Sequence, residues 1–219
     1  MIQAASRREI DGWVLHERVP SGPGPHPLIV MLHGWTGDED SMWVFASRMP
    51  KSAMLVAPRG LYPVPGGGYG WHTHKPGAWP WLDDFQPAID GLFGLLTPEN
   101  FPEADLSSFS LAGFSQGAAF SSAIALQHPG RVDLLAGLSG FLPQGAEALA
   151  RNRPLNEKPV FIAHGSQDEL VPVWRARQAV EVLEAAGAKV SYCEDDVGHK
   201  LSASCFRGLE EFFSKHLRV

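Results

Sequence analysis

Residues 106–119 read Leu-Ser-Ser-Phe-Ser-Leu-Ala-Gly-Phe-Ser-Gln-Gly-Ala-Ala. A mostly apolar run ends at Ala112, Gly113-Phe114-Ser115-Gln116-Gly117 follows, and a helical pattern comes next. G-x-S-x-G between a strand and a helix predicts a sharp turn that lifts the Ser115 hydroxyl above the end of a sheet, with a helix N-terminus behind it. Small residues must flank such a turn because strand and helix come very close there, and Ala118 and Ala119 fit that demand. The pentapeptide alone is weak in a chain with 23 glycines. Its setting gives it weight.

Working outward, short apolar runs recur at 28–32, 53–57, 134–138, 160–163 and 190–193. The first, 28–32, is unbroken apolar and suits a strand buried on both faces, as in a parallel sheet. Helical patterns lie between them at 40–49, 84–96, 116–128 and 173–186, with a last one starting near Ser202. Pro87 must fall in the first turn of its helix, since a proline deeper inside breaks the hydrogen-bond ladder. In the last helix, Phe206, Leu209 and Phe213 are expected to face inward. Residues 2–9 and 13–19 flank Asp11-Gly12, a favoured hairpin turn. The expected fold is α/β: a mostly parallel central sheet, helices on both faces and an N-terminal antiparallel hairpin.

The chain has 219 residues, 44% of them hydrophobic and 19% charged, which predicts one globular domain over 1–219 without disorder or repeats. A net charge of −6 provides no basic surface for phosphates, so no nucleic-acid partner is expected. The opening MIQAASRREI lacks the apolar core of a signal peptide, and no apolar run approaches the roughly 20 residues that span a bilayer. A soluble cytoplasmic protein is expected, without membrane insertion, and a homodimer is compatible with this reading. The two cysteines, Cys193 and Cys205, read as buried free thiols.

In an open α/β sheet, ligands bind beyond the carboxyl ends of the strands. After the run at 160–163 comes His164-Gly165-Ser166-Gln167-Asp168, and after the run at 190–193 comes Glu194-Asp195-Asp196-Val197-Gly198-His199. Serine, acid and histidine thus follow in chain order at three strand ends. Ser115 is the expected nucleophile and His199 its general base. Asp168 would hold the imidazole tautomer and stabilise the imidazolium. His33 and His164 compete with His199 but read more simply as satisfied structural histidines. Asp195 and Asp196 compete with Asp168, although too few residues separate them from His199 for easy reach around its ring. The run at 28–32 leads into His33-Gly34-Trp35-Thr36-Gly37. This loop would supply one oxyanion donor, the Trp35 amide, while Gln116 supplies the other. An ordinary glycine-rich turn is an equal alternative for that loop taken alone.

Together, LHGWTGDED at 32–40, GFSQG at 113–117, HGSQDELVP at 164–172 and GHKLS at 198–202 resemble the phospholipase/carboxylesterase family of α/β-hydrolases, from about residue 12 to 217. The resemblance implies hydrolysis of carboxylic esters or thioesters without a metal or cofactor. It also implies the triad Ser115, Asp168 and His199, with the amides of Trp35 and Gln116 as oxyanion donors. One departure stands out. Where thioesterase members carry a hydrophobic acyl-binding segment, this chain has PVPGGGYGWHTHKPGAWPW. Only about 20 residues follow Leu138 before the next strand, too few for a helical cap domain.

The long connection at 61–82 carries Tyr69, Trp71, Trp79 and Trp81. It reads either as an aromatic wall of a substrate pocket, joined by Phe114 and Leu170, or as a satellite core that tacks the loop down. His72 and His74 lack matched carboxylate spacing, so no metal site is expected. Asp38, Glu39 and Asp40, with Glu194, Asp195 and Asp196, read as a solvated polar rim or as a field that repels anions. The expected activity is a serine carboxylesterase acting on small to medium esters, with a small-molecule ester as its partner. An acyl-protein thioesterase or lysophospholipase is the first alternative. A peptidase, an acyltransferase or a non-catalytic binding protein on the same fold are the others.

Overall fold

The computed structural model describes residues 5–73 and 78–217. Ten strands and six α-helices follow in the order β1 (Ser6–Ile10), β2 (Trp13–Arg18), β3 (His26–Leu32), α1 (Trp43–Ala46), β4 (Met54–Pro58), β5 (Tyr62–Pro63), β6 (Tyr69–Gly70), α2 (Gln86–Leu95), β7 (Ala104–Phe114), α3 (Gln116–Gln127), β8 (Val132–Leu138), α4 (Ala146–Ala150), β9 (Pro159–Gly165), α5 (Val173–Ala185), β10 (Lys189–Asp195) and α6 (Ala203–His216). Eight strands form one sheet in the order β1-β2-β4-β3-β7-β8-β9-β10, and β5 and β6 pair separately. The hairpin β1-β2 is antiparallel and meets β4 antiparallel; every pairing from β4 to β10 is parallel. This is the expected α/β-hydrolase architecture, with β7 near the centre.

Alternation along β3 shows how the sheet serves two cores. Leu28, Val30 and Leu32 belong to the cluster that packs α2, α3 and α5, while Ile29 and Met31 belong to the cluster that packs α1 and α6. Successive strand residues point to opposite faces, so one apolar strand feeds both cores. Helix α3 lies between sheet and neighbours with every residue from Gln116 to Leu126 buried, which explains its lack of a polar face.

Some elements differ from expectation. The pattern at 40–49 yields only the four-residue α1. The helix expected from 84 begins as a 3-10 turn, Leu82–Phe85, and Pro87 lies in the first turn of α2. In α6 the buried positions are Cys205, Leu209, Phe212 and Phe213, while Phe206 is half-buried at the groove described below.

Cys193 and Cys205 are not free thiols; they form a disulfide. The end of β10 and the first turn of α6 pack side by side with the two Cα atoms 5.6 Å apart, within bridging reach. No helix among the described residues is long and apolar enough to cross a membrane.

Candidate active site

Ser115 joins β7 to α3 with φ 54° and ψ −114°, a left-handed conformation unusual for a residue with a side chain. The flanking glycines make this turn feasible. A Cβ at Gly113 would run into the carbonyl oxygen of Gly117, and a Cβ at Gly117 into that of Leu32. The Ser115 amide donates to Leu138 O at 2.8 Å, tying the turn to the end of β8.

Asp168 and His199 are brought together. His199 Nδ1 lies 2.6 Å from Asp168 Oδ2, and the Asp168 side chain is fully buried. Asp168 Oδ1 accepts the amides of Leu170 and Val171 at 2.9 Å each, which fixes the orientation of the carboxylate. The His199 ring packs on Phe114 with centroids 4.9 Å apart, one residue from Ser115. A hydrogen bond from Ser115 Oγ to His199 Nε2 is not among those formed by the described residues; such links are often long before substrate binds and tighten with it.

The loops that carry acid and base lie back to back. Ser166 N donates to Asp195 O at 2.8 Å, and Gln167 N to Val197 O at 3.0 Å. Gly165 allows this approach, since a Cβ there would strike the carbonyls of Val197 and Gly198. The Cys193–Cys205 bridge closes the segment holding His199 from its other side.

The competing residues are engaged elsewhere. Asp195 pairs with Ser204, and Asp196 accepts from Ser166 Oγ at 3.3 Å. His33 Nε2 accepts the Gly60 amide at 2.8 Å, so Nδ1 carries the proton and donates to Gly34 O at 2.7 Å. His164 Nε2 donates to Val171 O at 2.8 Å and lies 3.3 Å from Asp168 Oδ2, whereas its buried Nδ1 has no partner. Burial pushes the pKa of both histidines down.

The aromatic residues of 61–82 divide between the two readings. Trp71 is wholly buried; its ring stacks on Phe120 at 4.7 Å and its Nε1 donates to His33 O at 2.7 Å. It is therefore core, and its place in a pocket wall is withdrawn. Tyr69 bonds through its amide to Gly37 O at 2.8 Å, and its ring lies under Arg59. The loop thus braces the residues following β3. Trp35 lies against His72 with centroids 5.9 Å apart. Trp79 packs on Phe141, while Trp81 and Leu170 are exposed. Among the described residues no group of His, Cys, Asp and Glu could hold a metal; His74 lies outside them.

A cavity that no local sequence pattern announces opens beside Phe114, the residue before Ser115. It measures about 520 Å³ and is lined by Met42, Val44, Phe45, Phe114, Leu201 and Phe206, with Lys200 at its edge. Phe114 is the one expected pocket residue among these. The groove forms because α1 and the start of α6 meet on the same sheet face, a pairing no local pattern announces. The acidic rim is largely paired: Glu39 with Arg59, Asp40 with Arg7 and His16, and Glu194 with Arg177. The Arg177 and Tyr192 contacts hold the Glu194 carboxyl down at about 2.

A family model described as Phospholipase/Carboxylesterase matches residues 103–217. A probable carboxylesterase of Oryza sativa subsp. japonica is 26% identical over 134 residues, 60% of this chain and 50% of that protein. Acyl-protein thioesterase 1 of Debaryomyces hansenii is 29% identical over 185 residues, 74% of this chain and 78% of that one. The chain spans about half the length of the rice relative and of acyl-protein thioesterase 1 from Kluyveromyces lactis. Among solved structures, the Bacillus cereus carboxylesterase superposes with a TM-score of 0.78 at 20% identity, covering 94% of each chain. Acyl-protein thioesterase 2 of Zea mays superposes with a TM-score of 0.71 at 20% identity, covering 93% of this chain and 99% of that one. On the family match and this fold, the chain belongs to the phospholipase/carboxylesterase family of α/β-hydrolase enzymes.

Proposed function

We propose that the protein hydrolyses carboxylic esters or thioesters through Ser115, His199 and Asp168, with the acyl chain seated in the groove lined by Met42, Phe45, Phe114 and Phe206. The observation that carries this reading is the buried Asp168 carboxylate, fixed by two amides and set 2.6 Å from His199 Nδ1. Asp168 accepts a hydrogen bond from His199 Nδ1–H, which holds the tautomer whose Nε2 is the free base. His199 Nε2 takes the Ser115 proton as Oγ bonds to the carbonyl carbon. The oxyanion is held by the backbone N–H of Gln116 and that of Trp35. His199 returns the proton to the departing alcohol or thiol, and a water activated by the same imidazole then clears the acyl-enzyme.

Small to medium esters fit an open groove of about 520 Å³. The thioester reading also has support. The groove offers an apolar surface for an acyl chain outside the segment 61–82, and several matched relatives are named acyl-protein thioesterases. A panel of aryl esters and acyl thioesters from two to sixteen carbons tests both readings. Hydrolysis that vanishes in Ser115→Ala is expected. Equal turnover by that variant overturns the proposal.

A further inference from the structure

The groove lies on the sheet face that packs α1 and α6. A second surface lies beyond the carboxyl ends of β8 and β9, reached from the Ser115 turn through Gly140. Phe141 follows Gly140, where an added Cβ would lie 3.1 Å from Ser115 O, and Trp79 packs edge-on against Phe141 at 4.5 Å. The Arg175 guanidinium carbon lies 4.1 Å from the centre of the Trp79 ring and 4.5 Å from that of Trp174. Arg175 sits in the first turn of α5, directly after the loop that carries Asp168. Trp174 is 53% exposed and Leu170 71% exposed, so an apolar surface stays open beside this cation.

Arg175 differs from the arginines of the rim. Arg59 and Arg177 each close on a carboxylate with two hydrogen bonds. Among the described residues no carboxylate bonds to Arg175, and its Nε is buried without a hydrogen-bond partner. Glu147 acts on it only at a distance, and that carboxylate accepts the Gln178 amide at 3.3 Å. Removing a charge from water without a paired anion is costly, and two ring faces offset part of that cost. A guanidinium set against aromatic rings still offers its planar N–H edge, which matches a carboxylate or phosphate with two parallel hydrogen bonds.

We propose that Arg175, held against Trp79 and Trp174, forms a second substrate subsite that binds a carboxylate or phosphate carried on the part of the substrate lying away from the apolar groove. The substrate is then two-ended, apolar on one face of the sheet and anionic on the other. This rests on the reading of Ser115 as nucleophile. The simpler role for Arg175 is a clamp between α5 and the aromatic segment, and the two roles separate by experiment.

The test compares kcat/KM for three butyrate esters whose alcohols match in size and leaving-group acidity but end in a methyl, a carboxylate or a phosphate group. The anionic-to-neutral ratio is unaffected by any loss of folded enzyme. It is expected to fall about tenfold or more in Arg175→Met and to recover in part in Arg175→Lys, and the two anionic arms show which group is preferred. An unchanged ratio in Arg175→Met overturns the proposal and leaves the clamp. A second readout needs no turnover. Titrating the wild-type protein with phenyl phosphate and with phenylacetate should quench tryptophan fluorescence saturably, and Arg175→Met should abolish this. Identical titrations in both proteins overturn the subsite, whereas failure of every ester to react overturns the hydrolase reading alone.

Discussion

The side-chain oxygen of Gln116 accepts the backbone N–H of Trp71 at 2.8 Å. The residue after the candidate nucleophile, whose own amide is a proposed oxyanion donor, therefore also fastens the aromatic segment to the start of α3. Gln116→Met removes the acceptor and strands a buried N–H, at a cost of about 1–3 kcal/mol. Denaturant unfolding should show that loss, and kcat should drop along with it. Full stability in this variant would detach the segment from the elbow.

Asp168→Asn keeps an oxygen for the amides of Leu170 and Val171 but can present N–H to His199, which favours the wrong tautomer. Turnover should fall by about 10³–10⁴-fold with little change in melting temperature. A fall below tenfold would point to another acid.

The groove should set chain-length preference. Each buried methylene is worth about 0.8 kcal/mol, or about fourfold in kcat/KM. Met42→Trp fills the space beside Phe45, so octanoyl and longer esters should lose much more than acetyl esters. A uniform change across the series would place the acyl chain elsewhere.

Stability should fall as pH drops below about 6.5, the ordinary histidine value. His33 and His164 have pKa values lowered by burial, so the unfolded chain takes up protons that the native protein refuses. Their contribution is complete above about 6.5 and is lost as pH falls toward their lowered native values. The Glu194 carboxyl, held near 2, titrates well below this window. Urea midpoints at pH 7.5, 6 and 5 check the slope; a flat profile contradicts it.

Reducing Cys193–Cys205, which are 12 residues apart, should cost about 3 kcal/mol through freed loop entropy. A Cys193→Ser, Cys205→Ser protein should melt lower and lose kcat more than it gains in KM, because the freed segment carries His199. Unchanged kcat would make the bridge purely structural.

The sheet is readable because buried parallel strands carry their own signature: the apolar runs at 28–32, 106–112, 134–138 and 160–163 lie within strands, the run at 53–57 starts one residue before β4, and 190–193 falls in the half-exposed edge strand β10. The partnership of Asp168 and His199 was readable because chain order and strand ends constrain it. The groove was not, since it depends on α1 and α6 sharing a face. Phe206 has the spacing of a core residue, and only the neighbouring Phe45, with centroids 5.3 Å apart, shows where it belongs. Trp71 and Trp79 are equally aromatic in sequence, and tertiary packing alone buries one and leaves the other beside Arg175. The disulfide was missed for the same reason: β10 and α6 are adjacent in space, and two cysteines do not say so.

The backbone bonds from Ser166 and Gln167 to Asp195 and Val197, with Gly165 lodged beneath, have a mechanical consequence. Carboxylate and imidazole ride on one chassis, while the hydroxyl belongs to another. On the proposed mechanism the contact between ring and acid is braced by backbone bonds between its own two loops, whereas among the described residues no backbone bond joins the Ser115 turn to the loop of His199.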